Sequence, residues 1–475
     1  MFNNLSRSVL FSVVLLVSFY GLGCGSSEIL TLNPAGRDAS RVKLLFGITA
    51  RFVPETATVW IGAPPGYAAP SAEVFITLPA QKQIKIRAFT DGSFYHRFPG
   101  DENSSVEISW TDRWGQFRTE TITVSDPNDK IATGIGKAGI APNRMYLVDG
   151  MVWVVNSGDD EIASYDPETL EPGSMRVSLP VYSNPWEVAF HLESRTGLVT
   201  TLFRGVFRFD MQTGEIGRVE TSSSPFSPFA SPNGVVMLDD TAWVANPNPV
   251  SYFPSRFGVG FLSKIEHGIS PKVIGEIKTS WVNPQNVITD GKYIYASCTG
   301  TVDFMPPYWT PVALTSGGVH VIEPETGEIV ASYELGEGGS GPMAITPDRR
   351  FLYIGSNIAG WLFRIDLFSG EVLNDASNPI ILNNEPVTFI PKLEMLSNGL
   401  MICPSFNTDT IHFVDSSTGE VDPFPYSNPI DLRKGKTQAQ IYYGVQDVVF
   451  CERDGHPGLL VLSSIINEFH WIPLD

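Results

Sequence analysis

Apolar and polar positions alternate over short runs along most of this chain, and turn residues separate the runs. After residue 140 the runs fall into a repeated three-part phrase. A Pro or Gly opens a short apolar strand, as in Pro185-Trp186-Glu187-Val188, Pro232-Asn233-Gly234-Val235, Pro284-Gln285-Asn286-Val287 and Gly341-Pro342-Met343-Ala344-Ile345. A second strand ends in small or amide residues: VWVVNSG at 152–158, AWVANPN at 242–248, IYASCTG at 294–300, LYIGSN at 352–357 and MICPSFN at 401–407. A third ends in an acidic turn: YDPETL at 165–170, FDMQTG at 209–214, IEPETG at 322–327, IDLFSG at 365–370 and VDSSTG at 414–419. The acidic residue advances 44 positions from Asp166 to Asp210 and 43 from Glu323 to Asp366; longer steps contain loops.

A strand-only repeat of about 40–50 residues predicts a β-propeller. Each unit is a small sheet that cannot bury both faces alone, so the units must pack face to face in a ring. The phrase occurs about seven times, so the expected fold is all-β, with a seven-bladed β-propeller over 131–475. The last blade starts near Gly444 and has room for only three strands before Asp475. Residues 131–140 (IATGIGKAGI) are extended and apolar, and are the natural fourth strand. Such a closure removes an exposed strand edge.

Residues 43–125 carry a different pattern. Alternating strands are expected at 57–63, 72–78, 84–89, 104–110 and 119–124, with turns at Pro64-Pro65-Gly66, Asp91-Gly92, Pro99-Gly100 and Asp112 to Gly115. Short strands at this spacing predict a β-sandwich. Residues 126–132 then form a polar hinge.

Two resemblances sharpen this picture. VWVVNSGDDEIASYDPETLEP (152–172) and PMAITPDRRFLYIGSNIAGWLFRIDLFSGEV (342–372) resemble the YVTN-type propeller repeat, which implies a propeller and leaves function open. Blades 3 and 4 depart from it through insertions, and blade 7 lacks the acidic turn. In the first unit, Thr90-Asp91-Gly92-Ser93-Phe94, Val106-Glu107-Ile108 and Asp112-Arg113-Trp114-Gly115 resemble bacterial Ig-like modules of cell-surface proteins, which implies an Ig-like domain.

Net charge is −19 and no basic run occurs. Phosphate contacts need clustered Lys and Arg, so a nucleic-acid partner is not expected. The N-terminus reads as a targeting segment. Arg7 precedes an apolar run at 9–20, too short to span a bilayer comfortably. Gly21-Leu22-Gly23-Cys24 resembles a bacterial lipobox, with Gly21 where that motif usually has Leu. The resemblance implies a signal peptide over 1–23, a diacylated Cys24, a tether over 24–42, and anchoring to the bacterial outer membrane, on its periplasmic or surface side. The other cysteines, Cys298, Cys403 and Cys451, form no CxxC, and an odd number argues against a disulfide framework.

In an antiparallel blade, the turn from strand two to three and the connection to the next blade lie on one face, here the upper face. The insertions at 246–260 and 299–318 fall there. Phe257, Phe304, Tyr308 and Trp309 on these loops, with Trp281 between blades, are the candidate partner-binding residues; Trp186, Phe226 and Phe229 add to the same face. The competing reading is a cap that buries its own rings. Enzyme signatures are sparse: no HExxH, GxSxG or Walker loop occurs, and no catalytic residue is assigned. Propellers of the regucalcin and gluconolactonase kind hold calcium near the axis with Glu, Asn and Asp. Glu187, Asn233, Asn286, Glu394 and Asp447 are the axial metal candidates, and each also reads as a strand cap or channel wall. The reading is a lipid-anchored binding protein with no cofactor, whose upper face engages an unknown protein or small molecule. The alternative is a metal-assisted, lactonase-like hydrolase at the central channel, with calcium as the possible ion.

Overall fold

The computed structural model describes residues 48–474 apart from several short segments. These are 54–57, 64–67, 79–81, 89–91, 93, 102–103 and 113–114 in the first unit, and 125–132 after it. In the second unit they are 222–226, 253–254, 306–309, 384–387, 424–428 and 434–442. The leader 1–23, Cys24, the tether 24–42 and the hinge therefore lie outside the described residues. Every described element is a β-strand, which places the chain in the all-β class.

Residues 48–124 form two antiparallel sheets around one core. The first pairs Thr49–Val53, Thr58–Ala63 and Phe94–Pro99. The second has the spatial order Gln83–Arg87, Glu73–Thr77, Ser105–Thr111, Phe117–Thr123. Alternation sends Val74, Ile76, Val106 and Ile108 inward, where they meet Val59, Ile61, Phe94 and Phe98 of the other sheet. Strands 49–53 and 94–99 were not among the five expected. FYHRFP carries His96 and Arg97 in mid-strand, which breaks the apolar alternation.

The rest of the chain folds into seven small antiparallel sheets. Sheet 1 comprises Pro142–Val148, Met151–Asn156, Glu161–Tyr165 and Pro172–Ser178. Sheet 2 comprises Pro185–His191, Thr196–Thr201, Gly205–Asp210 and Ile216–Arg218. Sheet 3 comprises Val235–Leu238, Thr241–Asn246, Phe261–Glu266 and Lys272–Lys278, and sheet 4 Pro284–Thr289, Ile294–Cys298, Gly317–Ile322 and Ile329–Gly336. Sheet 5 comprises Ser340–Ile345, Phe351–Ser356, Trp361–Asp366 and Glu371–Asn374, with Ile380–Ile381 added beside its third strand. Sheet 6 comprises Glu394–Met395, Leu400–Ser405, Thr410–Asp415 and Ile430–Asp431. Sheet 7 comprises Val445–Arg453, His456–Ser463 and Glu468–Pro473, and its fourth strand is Thr133–Lys137 from far upstream.

Seven apolar clusters join these sheets in order. Each is shared by two successive sheets, and the last joins sheet 7 to sheet 1 through Leu460, Leu462 and Phe469 against Val152, Val154 and Tyr165. The sheets therefore close a ring with the first strands innermost.

The acidic turn has a local cause. Asp210 Oδ1 accepts the N–H groups of Gln212 and Thr213, and Thr213 Oγ1 accepts that of Glu215. Gly214 then takes a left-handed φ of 73° that glycine adopts at no steric cost. Asp366 and Asp415 repeat the arrangement. In sheet 1, Leu170 takes the left-handed position instead, with φ 56°, and is held there by burial against Gly136.

Two features position the candidate sites. The insertions of sheets 3 and 4 are not irregular loops. Each contains its own hairpin, Pro249–Tyr252 with Ser255–Phe257 and Val302–Met305 with Thr310–Ala313. The first strands of sheets 1, 2, 4, 5 and 7 also carry a register shift near their upper ends. Such bulges turn side chains out of the pleat.

Candidate functional site

The upper ends of the first strands bring charged residues together at the axis. Lys392, just before the first strand of sheet 6, places Nζ 2.8 Å from Asp447 Oδ1 in sheet 7 and 3.4 Å from Glu394 Oε2. Asp447 also accepts the backbone N–H of Met145 in sheet 1 at 2.9 Å and of Val448 at 2.6 Å. Arg144 and Glu187 are fully buried nearby, and Arg144 donates to the Asn143 carbonyl. Glu187, Arg144 and Asp447 all act electrostatically on Tyr146, whose hydroxyl is pushed well above its ordinary value, chiefly by burial.

Burial opposes charge on Lys392, but Asp447 and Glu394 outweigh it and hold its pKa above the ordinary lysine value. Burial raises the Glu394 carboxyl, with Lys392 opposing and Asp447 adding to the rise. A fifth of the Glu394 side chain is nevertheless accessible. Of the five axial candidates, Glu394 and Asp447 thus converge on one ammonium, while Glu187 shares with Asp447 an influence on Tyr146. Asn233, just before the first strand of sheet 3, and Asn286, in the first strand of sheet 4, are buried, and the Asn286 amide has no hydrogen-bond partner among the described residues. Among the described residues, no three His, Cys, Asp or Glu side chains are grouped to hold a metal ion. The Lys392 ammonium occupies the point where a cation would be attracted.

Above this cluster the axis is plugged. Trp186, at the start of sheet 2, packs against Phe389 and Phe406 of sheet 6, on the far side of the ring, with Leu202 alongside. Phe389 and Phe406 stack at 4.7 Å. Trp186 is only 1% exposed. Sequence patterning placed Trp186 on the upper face with the other aromatics; it is instead an internal stopper.

The remaining aromatics divide. Trp281 is half-buried and stacks on His320 at 4.7 Å, seated over Gly318, where a Cβ would lie 2.8 Å from the indole. Phe229 packs against the core between sheets 2 and 3, and Phe257 is half-buried. Phe304 lies in a hairpin strand, but its side chain is outside the described residues, as are Tyr308, Trp309 and Phe226. The exposed apolar residues of the upper face are others: Val181, Tyr182 and Phe203 on sheet 2 connections, Val250 in one hairpin with Val259 after it, and Val312 in the other with Leu314 after it. Isolated Val and Leu in a loop give no sequence signal, because their neighbours decide their exposure.

His320 is held by a backbone N–H and a serine hydroxyl. His320 Nε2 accepts the Ser280 N–H at 3.2 Å, so Nδ1 carries the proton toward Ser332 Oγ at 2.8 Å. Burial pushes its pKa down to about 4. His412 pairs with Asp422 at 3.0 Å, and Cys298, Cys403 and Cys451 are buried free thiols. On the lower face, a shallow hollow of about 210 Å³ lies between sheets 5 and 6. Its one carboxylate, Asp348, is already engaged by Thr346 and the Arg350 N–H.

No family model and no curated protein matches this chain. Among solved structures, it is similar to Kuenenia stuttgartiensis hydrazine synthase, at 14% identity and TM-score 0.47, over 72% of this chain and 96% of that one. It is also similar to the Cps50 (Swd1) β-propeller domain of Myceliophteria thermophila, at 11% identity and TM-score 0.45, over 72% and 99%.

Proposed function

We propose that this chain is an exported, lipid-anchored binding protein: an Ig-like module carrying a seven-bladed β-propeller that engages a partner through its upper face. One observation carries the reading. The axis is stoppered from above by Trp186, Phe389 and Phe406, while both long insertions rise as hairpins from adjacent sheets on that same face. Substrate entering from the insertions' side would meet a packed apolar plug, not a channel. The metal-assisted alternative would need an ion to displace Lys392 from Asp447, at the cost of leaving a buried ammonium without its partners. The Cys24 anchor belongs to this proposal and rests on the lipobox resemblance.

The test is site-specific photo-crosslinking of the full chain in bacterial cells. A photoreactive residue at Val250 on the upper face is compared with one at Phe368, which is exposed on the lower face. Discrete adducts at 250 and none at 368 are expected. Equal patterns at both positions would remove the upper-face reading.

A further inference from the structure

The lower-face hollow of about 210 Å³ takes its walls from two sheets. The turn after the first strand of sheet 5 supplies Thr346 and Asp348, the corresponding turn of sheet 6 supplies Asn398, and the turn after the third strand of sheet 6 supplies Ser417. Phe351 adds an apolar surface. Two of the polar groups are half used, in opposite senses. Thr346 Oγ1 and the Arg350 N–H both donate to Asp348 Oδ1, at 2.6 and 3.0 Å, which leaves Oδ2 as an acceptor. These bonds, that of the Thr346 hydroxyl first, hold the carboxyl below its ordinary pKa, so it is ionised at neutral pH. On the sheet 6 side, Asn398 Oδ1 accepts the Leu400 N–H at 3.0 Å, which orients the amide and leaves the Nδ2 donors without a protein partner among the described residues. Ser417 Oγ donates to Asp415 Oδ1 and keeps its own lone pairs. The hollow therefore offers an acceptor held by sheet 5 and a donor held by sheet 6.

We infer that this hollow binds one ring of a neutral sugar, with neighbouring hydroxyls bridging Asp348 and Asn398 and the C–H face of the ring against Phe351. Charge selects the class. Asp348 is the one charged residue of the lining and would repel an anion. A cation at Asp348 would meet the Asn398 N–H groups, and beyond them the guanidinium groups of Arg350 and Arg364, which lie over the Phe351 ring at 4.8 and 5.3 Å. A hydroxyl both donates and accepts, so it satisfies the two walls at once. A single amide does the same only once, whereas successive hydroxyls also reach Ser417. An apolar surface with a few oriented polar groups is the usual make-up of a small-molecule site. The volume falls below the roughly 300 Å³ at which pockets begin to enclose drug-sized ligands, so one ring enters and any longer chain continues outside. The inference is independent of the upper-face reading, because its residues lie on the opposite face.

The experiment is saturation-transfer NMR on the full chain in a sugar-free detergent. The probes are the methyl glycosides of glucose, galactose, mannose and N-acetylglucosamine, with N-methylacetamide, tetramethylammonium and acetate for comparison. At least one glycoside should bind, with a dissociation constant on the order of millimolar, as suits a ligand of about a dozen heavy atoms in an open site. Two variants test the walls separately. Asp348→Asn keeps an acceptor for Thr346 and Arg350 but turns the free oxygen into a donor. Asn398→Asp keeps the acceptor for Leu400 but turns the free donor into an acceptor. Each should weaken the glycoside at least about fivefold, the scale of one lost hydrogen bond, at an unchanged melting temperature. Failure of every glycoside to bind the parent chain would overturn the inference, and that result needs no variant to fold. Binding that neither substitution weakens would overturn it too. So would tighter binding of N-methylacetamide, tetramethylammonium or acetate than of any glycoside, since the hollow would then select a peptide group or an ion.

Discussion

At the residue scale, the polar groups inside this protein are mostly consumed by structure, and His320 shows what that implies. Its neutral ring accepts the Ser280 N–H and stacks on Trp281. Protonating Nε2 would cancel that bond inside a buried site. The folded-state pKa of about 4 lies below the ordinary value of 6.5. The unfolded chain therefore takes up a proton first, and stability falls as pH drops from 6.5 to 4. The loss is at most about 3 kcal/mol from this group. His267, also held down to about 4 by burial and by His191, pulls in the same direction. His320→Gln keeps an acceptor and cannot titrate. Urea midpoints at pH 7 and pH 4.5 should lie closer together in that variant than in the parent. An unchanged gap would assign the acid sensitivity elsewhere.

At the element scale, much of the architecture could be read in advance, and the failures have identifiable causes. The acidic turns were legible because one Asp must satisfy two successive N–H groups and one residue must turn left-handed, so few side chains serve. The three-strand remainder after Gly444 pointed to a donor strand upstream, and Thr133–Lys137 lies against Glu468–Pro473. The insertion hairpins were missed because Pro249, Pro254 and Pro311 interrupt the alternation that marks a strand; such hairpins stand outside the main sheets, where proline is tolerated. Charge convergence on Lys392 was missed too. Its partners come from different sheets, and the axial search looked for acids and amides, not for the base between them. The donor strand makes a prediction of its own. Deleting 133–137 removes a ladder, the Lys137–Glu468 ion pair and the Ile135 contact with the sheet 7 to sheet 1 core. The melting temperature should fall by several degrees, roughly as a loss of a few kcal/mol shifts it in a unit of this size. The uncovered edge should also raise light scattering on heating. A chain that melts and scatters as before would show the strand to be dispensable.

At the scale of the whole molecule, the ring is braced across its diameter as well as around its rim. Trp186 links sheet 2 to sheet 6. Trp186→Ala should cost about 3–5 kcal/mol, the usual range for a buried Trp truncation. Trp186→Phe should restore much of it, which calorimetry of both variants would show. Closure by an early strand also has a consequence in time. Lys137 and Glu468 are 331 positions apart. At synthesis rates of about 5–20 residues per second, Thr133–Lys137 waits tens of seconds for its partner. Until then two of the seven cores lack a wall, and no truncated chain can complete them. A chain that stops short of Glu468 lacks the strand that Thr133–Lys137 pairs with, and the apolar flank of sheet 1 that faces sheet 7 stays without its full cover.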